Sequence, residues 1–295
     1  MNDKLVYAIT PNQHVRILAC TTTQLCEAAR RQHDLWPTSA AALGRMMSVT
    51  AILGAMLKSE KEKVTVQING GGAIGTMMAD ANCKGQVRGF VGDPHQYLVY
   101  NDTNKLAVGL IVGTNGYLKV NKDMGLKDQF AGQVALQSGE IGDDFAYYFT
   151  VSEQTPSAVS VGVLVDTDNS IKSAGAMIIQ IMPDALEEDI VACEQALSTL
   201  RPVSELVAEG MSAEDLVRVV FPDAEILSEK PLGWYCDCSK DRFKAGLSTL
   251  DKKDLEEMLH EDHGCEVKCE YCNTVYQFDE HDLNVILGFK AACGR

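Results

Sequence analysis

Two close pairs of cysteines near the C-terminal end of the chain place the strongest constraint on its fold. The first pair is Cys236-Asp237-Cys238, and after residues 239–268 comes the second, Cys269-Glu270-Tyr271-Cys272. Such turns hold two sulfurs about one tetrahedral edge apart, and two facing turns make the all-cysteine cage typical of structural zinc. We therefore predict one zinc ion per chain, bound by Cys236, Cys238, Cys269 and Cys272.

The same four sulfurs support a second chemistry, because the two cysteines of each pair are close enough to oxidise to a disulfide. A Cys-x-Cys disulfide closes a small, strained ring that is easily reduced. A zinc-bound cysteine is a thiolate, which is the form that oxidants attack. Motif chemistry alone therefore leaves two interpretations open. It favours an inert structural zinc ribbon over a redox-active site.

Other thiols and imidazoles lie near the second pair. Cys265 precedes Cys269 by a spacing that gives it reach to the site, and His260 and His263 are also near. We keep the symmetric two-turn set as ligands and leave ligand exchange with Cys265 open. The cysteines without paired spacing are expected to be small buried hydrophobic side chains; they are Cys20, Cys26, Cys83, Cys193 and Cys293.

The composition is that of a globular protein of two domains or more in a reducing compartment. The chain has 295 residues, 46% apolar and 23% charged, as is usual for such proteins. Its N-terminus, MNDKLVYAIT, lacks the basic region and apolar core of a signal peptide. In a chain without an export signal, cysteines with metal-type spacing indicate reduced thiols, and therefore the cytoplasm. The apolar segment 40–57 contains Arg45 and two glycines, so we expect a buried core helix and no membrane span.

The charge is unevenly distributed and argues against nucleic-acid binding. The formal net charge of the chain is −15, and residues 183–232 carry 3 basic against 12 acidic side chains. An acidic surface repels phosphate backbones, although zinc ribbons often bind them. We therefore expect no nucleic-acid partner.

The predicted fold class is α+β, and the first of three predicted parts is a mixed α/β domain over residues 1–182. Helices are expected over 21–32, 40–57 and about 138–149, and short strands over most of the remainder, including 106–112. The glycine-rich run 69–75 lacks the Gly-Lys-Ser/Thr ending of a phosphate loop. We interpret it as a hairpin turn that needs positive φ angles, and the sequence shows no ATP site.

The second predicted part, residues 183–230, is an acidic helical connector. Ser212 to Asp215 resembles a capping box. The apolar positions form a helical stripe that must dock on another surface, although a plain solvated linker remains an alternative. The stripe consists of Leu186, Ile190, Val191, Leu197 and Leu200.

The third predicted part is a small C-terminal zinc-binding unit, residues 231–295. Helices are expected over 241–250, 251–260 and 282–289, with a strand around 275–278. The unit has too few apolar side chains to fold by burial alone, so it needs a staple such as a metal ion.

These residues closely resemble the redox-regulated heat-shock chaperone family, the 33 kDa bacterial chaperonin. The cysteine unit carries the resemblance best, through Cys236-Asp237-Cys238-Ser239, His260-Glu261-Asp262 and Cys269-Glu270-Tyr271-Cys272. Supporting stretches occur along the whole chain: PTSAAALGRMM, MMADANCKGQVRGFV, SGEIGDDFAYYFTVSEQTPSAVSVGVLV and AGAMIIQIMPDA. Cys265 departs from the simple four-cysteine pattern of the family.

The resemblance implies an ATP-independent holdase and no enzyme activity. It implies a zinc-bound, inactive monomer in the reduced state. On oxidation Cys236 would pair with Cys238 and Cys269 with Cys272, zinc would leave, and the C-terminal unit would unfold. The connector would then loosen, and the resulting homodimer would hold unfolded client proteins under oxidative stress.

Two other function classes remain open from the residues themselves. One is a zinc-ribbon binding module with purely structural zinc, against which the acidic charge argues. The other is a thiol oxidoreductase that uses Cys269-x-x-Cys272. That motif normally opens a helix after a strand, whereas here a strand is predicted to follow it.

Overall fold

The computed structural model describes residues 2–103, 105–125 and 130–293, with side chains described as far as residue 288. The chain divides into two compact units, Met1–Tyr235 and Cys236–Arg295. Each contains helices and at least one sheet, so the α+β class predicted from the sequence is confirmed. The three-part division of the chain at 182 and 230 stays a prediction.

The first unit contains two sheets and seven helices in its described part. Its strands are β1 Lys4–Ile9, β2 Val15–Thr21, β3 Lys63–Asn69, β4 Met77–Asn82, β5 Gln86–Val91, β6 Tyr117–Asp123, β7 Phe130–Ala135, β8 Ser157–Val165, β9 Ile171–Ile181, β10 Glu225–Pro231 and β11 Gly233–Trp234. Its helices are α1 Thr23–His33, α2 Pro37–Ala55, α3 Val108–Val112, α4 Gly142–Val151, α5 Glu187–Ser198, α6 Val203–Ala208 and α7 Ala213–Val220.

Helix α2 lies between the two sheets of this unit. One sheet has the strand order β10-β1-β2-β9-β8 and the other β11-β5-β4-β3-β6-β7, and α2 packs on both. Pro37 occupies its first turn, where no backbone donor is lost. Small residues let this helix and the neighbouring sheet approach closely. A Cβ added at Gly54 of α2 would lie 2.6 Å from the Cβ of Ala81 in β4.

The segment 40–57 is therefore the buried core helix that we predicted. All but three of the 19 residues of α2 are buried. In the described parts of the chain, no helix combines the length and the apolar character needed to cross a bilayer.

The glycine-rich run 69–75 forms the turn between β3 and β4, which are antiparallel neighbours. Gly71 and Gly75 have φ angles of 74° and 71°, as the hairpin interpretation requires. A Cβ at Gly70 would lie 2.2 Å from the Gly113 carbonyl oxygen. The run thus serves close backbone packing.

The expected strand over 106–112 is wrong. Residues 108–112 form the short helix α3, of which Val108, Ile111 and Val112 are buried. A short apolar run is ambiguous between a strand and a buried helical turn, and here the glycine-rich turn packs against the backbone of α3.

The connector helices α5, α6 and α7 cover one face of the five-stranded sheet. Side chains of β1, β2 and β9 on this face form one apolar cluster with side chains of the three helices. Side chains on the other face pack in the core around α2. The capping box predicted for α7 is confirmed, because Ser212 Oγ accepts from the Asp215 backbone and the Asp215 carboxylate accepts from the Ser212 backbone. The connector is therefore docked and is no plain linker.

The apolar stripe predicted for the connector is partly wrong. Leu186 and Val191 are 53% and 41% exposed, and the one buried residue of α5 is Cys193. Leu186 precedes the first turn of α5, and Val191 lies off the face that carries Cys193 and Leu197. Polar contacts support the docking, since the Asp189 carboxylate lies 2.6 Å from His14 Nδ1 and accepts from Asn12 at 2.7 Å.

The second unit is a small helical domain with one hairpin. It contains α8 Lys240–Leu247, α9 Lys252–His260, β12 Gly264–Lys268, β13 Val275–Asp279 and α10 Glu280–Cys293. Strands β12 and β13 pair antiparallel. The buried core of the described side chains comprises only Leu247, Leu255, Leu259, Phe278, Leu283 and Ile286. A core of this size supports the expectation that the unit needs a further crosslink.

We predict that α5 opens more readily than α2. Helix α5 has one buried residue, whereas α2 is almost wholly buried. Hydrogen exchange of the reduced protein should show α5 amides exchanging roughly 100-fold faster than α2 amides. Helix α7, which buries four residues, is the internal control and should be protected more than α5. Equal protection of α5 and α2 would contradict a weakly docked connector.

Candidate metal centre

The first cysteine pair is held by the start of helix α8. Ser239 caps this helix, and its hydroxyl accepts from the Arg242 backbone. The Arg242 guanidinium returns to the pair, where it donates to the Asp237 carbonyl at 3.3 Å and lies 2.6 Å from the Asp237 carboxylate. These contacts fix the backbone between Cys236 and Cys238, so both sulfurs can face the same point.

The second pair lies in the turn between β12 and β13. The Cys269 backbone donates to the Thr274 carbonyl at 2.9 Å, and the Asn273 backbone donates to the Cys269 carbonyl at 2.7 Å. Asn273 has a φ angle of 55°, a left-handed conformation that asparagine tolerates better than most residues. The motif does not open a helix after a strand, as it would in a thioredoxin-like oxidoreductase.

The structure brings all four predicted sulfurs together. The Sγ atoms of Cys236, Cys238, Cys269 and Cys272 lie within 4.8 Å of one another. Two of the distances between sulfurs of opposite turns are 3.8 Å, for Cys236 and Cys269, and 3.2 Å, for Cys238 and Cys272. Zinc–sulfur bonds of about 2.3 Å in a tetrahedron place ligands about 3.8 Å apart. The donor set and its spacing therefore fit one thiophilic metal ion such as zinc.

The thiols of the centre differ in acidity. Burial raises the pKa of Cys269 to about 12. Burial also acts to raise the pKa of Cys272, but hydrogen bonds with Thr274, Cys238 and Cys269 outweigh it and lower that pKa to about 7. Since thiolate is the nucleophile and the metal ligand, Cys272 is more ready than Cys269 for either role at neutral pH.

Two polar side chains that the sequence did not reveal complete the site. The Tyr276 hydroxyl lies 3.2 Å from Cys238 Sγ and donates to the Cys238 carbonyl at 3.1 Å. The Thr274 hydroxyl lies 3.2 Å from Cys272 Sγ. Both residues follow the second cysteine pair closely in the sequence. Hydroxyl side chains at such positions are the signal that could have identified them, because thiolates need hydrogen-bond donors around them.

The neighbouring candidates lie outside this cluster. Among the described residues, the group of metal-ligating side chains contains neither Cys265 nor His260 nor His263. Cys265 lies in β12 opposite Phe278 and packs on the core of the unit. His263 Nδ1 is 2.7 Å from the Glu280 carboxylate.

Of the cysteines without paired spacing, three are buried as expected: Cys20, Cys26 and Cys193. Cys83 is half-buried against the core, and the side chain of Cys293 lies outside the described residues.

The fold and the site define a class of proteins in which a small C-terminal unit built around a four-cysteine centre follows a larger α+β unit. The chain belongs to the Hsp33 protein family, whose model matches residues 3–279.

Relatives are similar over almost their full length. The chain is 46% identical over 282 residues to the 33 kDa chaperonin of Bacillus subtilis (strain 168), covering 95% of this chain and 97% of the relative. It is 43% identical over 288 residues to the 33 kDa chaperonin of Staphylococcus aureus (strain Newman), covering 97% and 98%. The crystal structure of the 33 kDa chaperonin from Thermotoga maritima superposes with a TM-score of 0.89 at 35% identity, covering 99% of this chain and 100% of that one.

We predict that the reduced protein binds close to one equivalent of zinc. Replacing any one of Cys236, Cys238, Cys269 and Cys272 by Ser should lower the zinc content sharply, because each removes one of four ligands. Elemental analysis of the purified variants measures this directly.

Matched controls come from thiols outside the cluster. Cys265→Ser, in the same unit, and Cys83→Ser should both keep the full zinc content. Full retention of zinc in Cys238→Ser together with loss of zinc in Cys265→Ser would show that Cys265, and not Cys238, is the fourth ligand.

Proposed function

We propose that the chain is a redox-regulated, ATP-independent holdase that binds unfolded proteins when oxidised. The main support is the gathering of four sulfurs in a unit whose buried core is very small. Membership of the Hsp33 family and relatives named 33 kDa chaperonin support a chaperone function. We further propose that the protein works in the cytoplasm, where its thiols begin reduced.

In the reduced state we propose that Cys236, Cys238, Cys269 and Cys272 all ligate one zinc ion. When bound, zinc neutralises part of the thiolate charge and contributes on the order of 10–16 kcal/mol to the folding of a small domain. The protein side of this arrangement is the capped turn before α8 and the β12–β13 turn, which aim their sulfurs at one point.

Oxidation removes the ligands. A thiolate attacks peroxide, a sulfenic acid forms, and the neighbouring thiol displaces water to give a disulfide. We propose Cys272 as the first thiol attacked once metal binding weakens, because it is less buried than Cys269 and the Thr274 hydroxyl lies 3.2 Å from its Sγ. The proposed disulfides are Cys236–Cys238 and Cys269–Cys272, within each turn. Disulfide sulfur is a poor ligand, so the unit loses its crosslink.

We propose that the cysteine unit then unfolds and that the connector follows. A core this small supplies only about 3–5 kcal/mol, less than the crosslink that is lost. Helix α5 is weakly held, with Leu186 and Val191 already exposed. Its departure with α6 and α7 uncovers the sheet face that carries Ile17, Met177 and Ile179. Clients with exposed apolar segments would bind there, the oxidised chains would form a homodimer, and the acidic surface would keep the complexes in solution.

The functional prediction is that oxidation activates the protein to protect unfolded clients from aggregation. Light scattering of a heat-unfolded client should be suppressed by protein treated with peroxide under mild warming, without ATP, and not by reduced, zinc-loaded protein. Reductant should reverse the effect, because short-range disulfides are easily reduced. Cys83→Ser, outside the cluster, should behave as the unchanged protein does. Equal protection by reduced and oxidised protein would leave the zinc purely structural.

The disulfide pairing is a separate prediction. Peptide mapping of the oxidised protein should recover Cys236 joined to Cys238 and Cys269 joined to Cys272. In the structure two cross-turn sulfur pairs lie 3.8 Å and 3.2 Å apart, so cross-turn products are the geometric competitor. Recovery mainly of Cys236–Cys269 and Cys238–Cys272 would show that the sulfurs oxidise in place and that the unit stays folded.

A further inference from the structure

A small cavity opens on the five-stranded sheet beyond the C-terminal end of α2. Its volume is about 240 Å³. Apolar and aromatic groups line it, among them Tyr7, Leu18 and Met56. Two cationic side chains also line it, Arg16 from β2 and Lys230 from β10. The cavity lies wholly within the first unit and shares no residue with the cysteine centre.

Both cations are held by neutral acceptors. The Arg16 guanidinium donates to Gln180 Oε1 at 2.5 Å, and the buried Gln180 is oriented by donating to Ser157 Oγ at 2.9 Å. Lys230 Nζ donates to the Ala55 carbonyl at the end of α2, at 3.1 Å. In the described residues neither cation forms an ion pair with a carboxylate. Their positions are fixed, but their charges are not neutralised.

The nearest carboxylate along β10 belongs to the opposite face of the sheet. Successive side chains of a strand alternate between faces, so Glu229 points away from Lys230, and it pairs with Lys4 at 3.3 Å. Arg16 Nε is buried, and no hydrogen-bond partner for it lies among the described residues. A chain of net charge −15 thus keeps two partly buried cations in one cavity without a carboxylate partner among the described residues, an arrangement that an anion would stabilise.

We propose that this cavity binds a small organic phosphate monoester. Two fixed cations match the charge of a phosphate dianion, and the planar guanidinium of Arg16 matches its oxygens. The Ser228 hydroxyl, also on the cavity wall, is a further donor. Tyr7, Leu18 and Met56 provide a surface for a short apolar or aromatic body. The volume is below the range of about 300–1,000 Å³ typical of pockets for larger ligands.

The bound ligand clamps strand β10. Lys230 and Ser228 come from β10, whereas the other lining residues come from β1, β2 and the end of α2. Strand β10 is at the edge of its sheet and pairs only with β1. A ligand that bridges Arg16 and Lys230 therefore holds this edge strand on its neighbours.

The binding test is calorimetric titration of phenyl phosphate into the reduced full-length protein. We expect one saturable site, and Arg16→Gln and Lys230→Gln should each weaken binding by about 10- to 100-fold, the effect of losing one charged hydrogen bond. Arg31→Gln and Lys84→Gln, which change surface cations paired elsewhere, are matched controls and should bind as the unchanged protein does.

Several results separate the proposal from its competitors. Phenol, which lacks the charge, should bind far more weakly, and equal binding of phenol would overturn the role of the two cations. Inorganic phosphate should also bind more weakly than phenyl phosphate, and equal affinity would overturn the role of the apolar surface. The absence of saturable binding, or unchanged affinity in both Gln variants, would overturn the site itself.

Hydrogen exchange provides a second measurement that does not depend on the variants folding. At phenyl phosphate concentrations about 100 times the Kd, openings of β10 that destroy the site should slow roughly 100-fold. Amides of 226–230 should show this protection, and those of β7, which lies in the other sheet, should not. No change at β10 under saturation would overturn the clamp.

Discussion

Four sulfurs within 4.8 Å of one another can all be thiolates only when a cation lies among them, because like charges at that distance repel strongly. Without a cation the thiols divide into unlike states: burial keeps Cys269 protonated, while its surroundings favour thiolate at Cys272. Under the proposed function, the order of the second unit depends on this electrostatic balance, since its apolar core is so small. Under the proposed function, oxidation of these four thiols would therefore decide whether about sixty residues are folded.

In the first unit, the two faces of the five-stranded sheet are packed very differently. One face packs in the continuous core around α2, where small residues let two sheets close on a helix. The other face is covered by three short acidic helices, the first of which buries a single side chain. Strands β1, β2 and β9 contribute side chains to both faces, and under the proposed function the connector would undock while the core around α2 stays in place.

Patterning predicted the elements that depend on local or strongly periodic signals. The buried helix around 40–57, the capping box at Ser212 and the paired cysteine turns all follow from spacing alone. The strand expected over 106–112 failed because a short apolar run does not distinguish a strand from a buried helical turn. Leu186 and Val191 were assigned to a docking stripe, but only a tertiary structure shows which arc of a helix meets a sheet. The hydroxyls of Thr274 and Tyr276 escaped notice because their roles depend on a hairpin that brings them back to the sulfurs.

The single buried residue of α5 is a cysteine, and this has a kinetic consequence. While α5 is docked, burial raises the pKa of Cys193 to about 11, so its thiol is protonated and shielded from reagents. If α5 leaves the sheet on oxidation, as proposed, that thiol would be exposed to the same oxidant. If the oxidant converted it to a sulfenic acid and a small thiol displaced water, the mixed disulfide formed would be too large for the closely packed site of the Cys193 side chain. Redocking of α5 would then require reduction of that mixed disulfide, so the connector would stay undocked after the oxidant is gone.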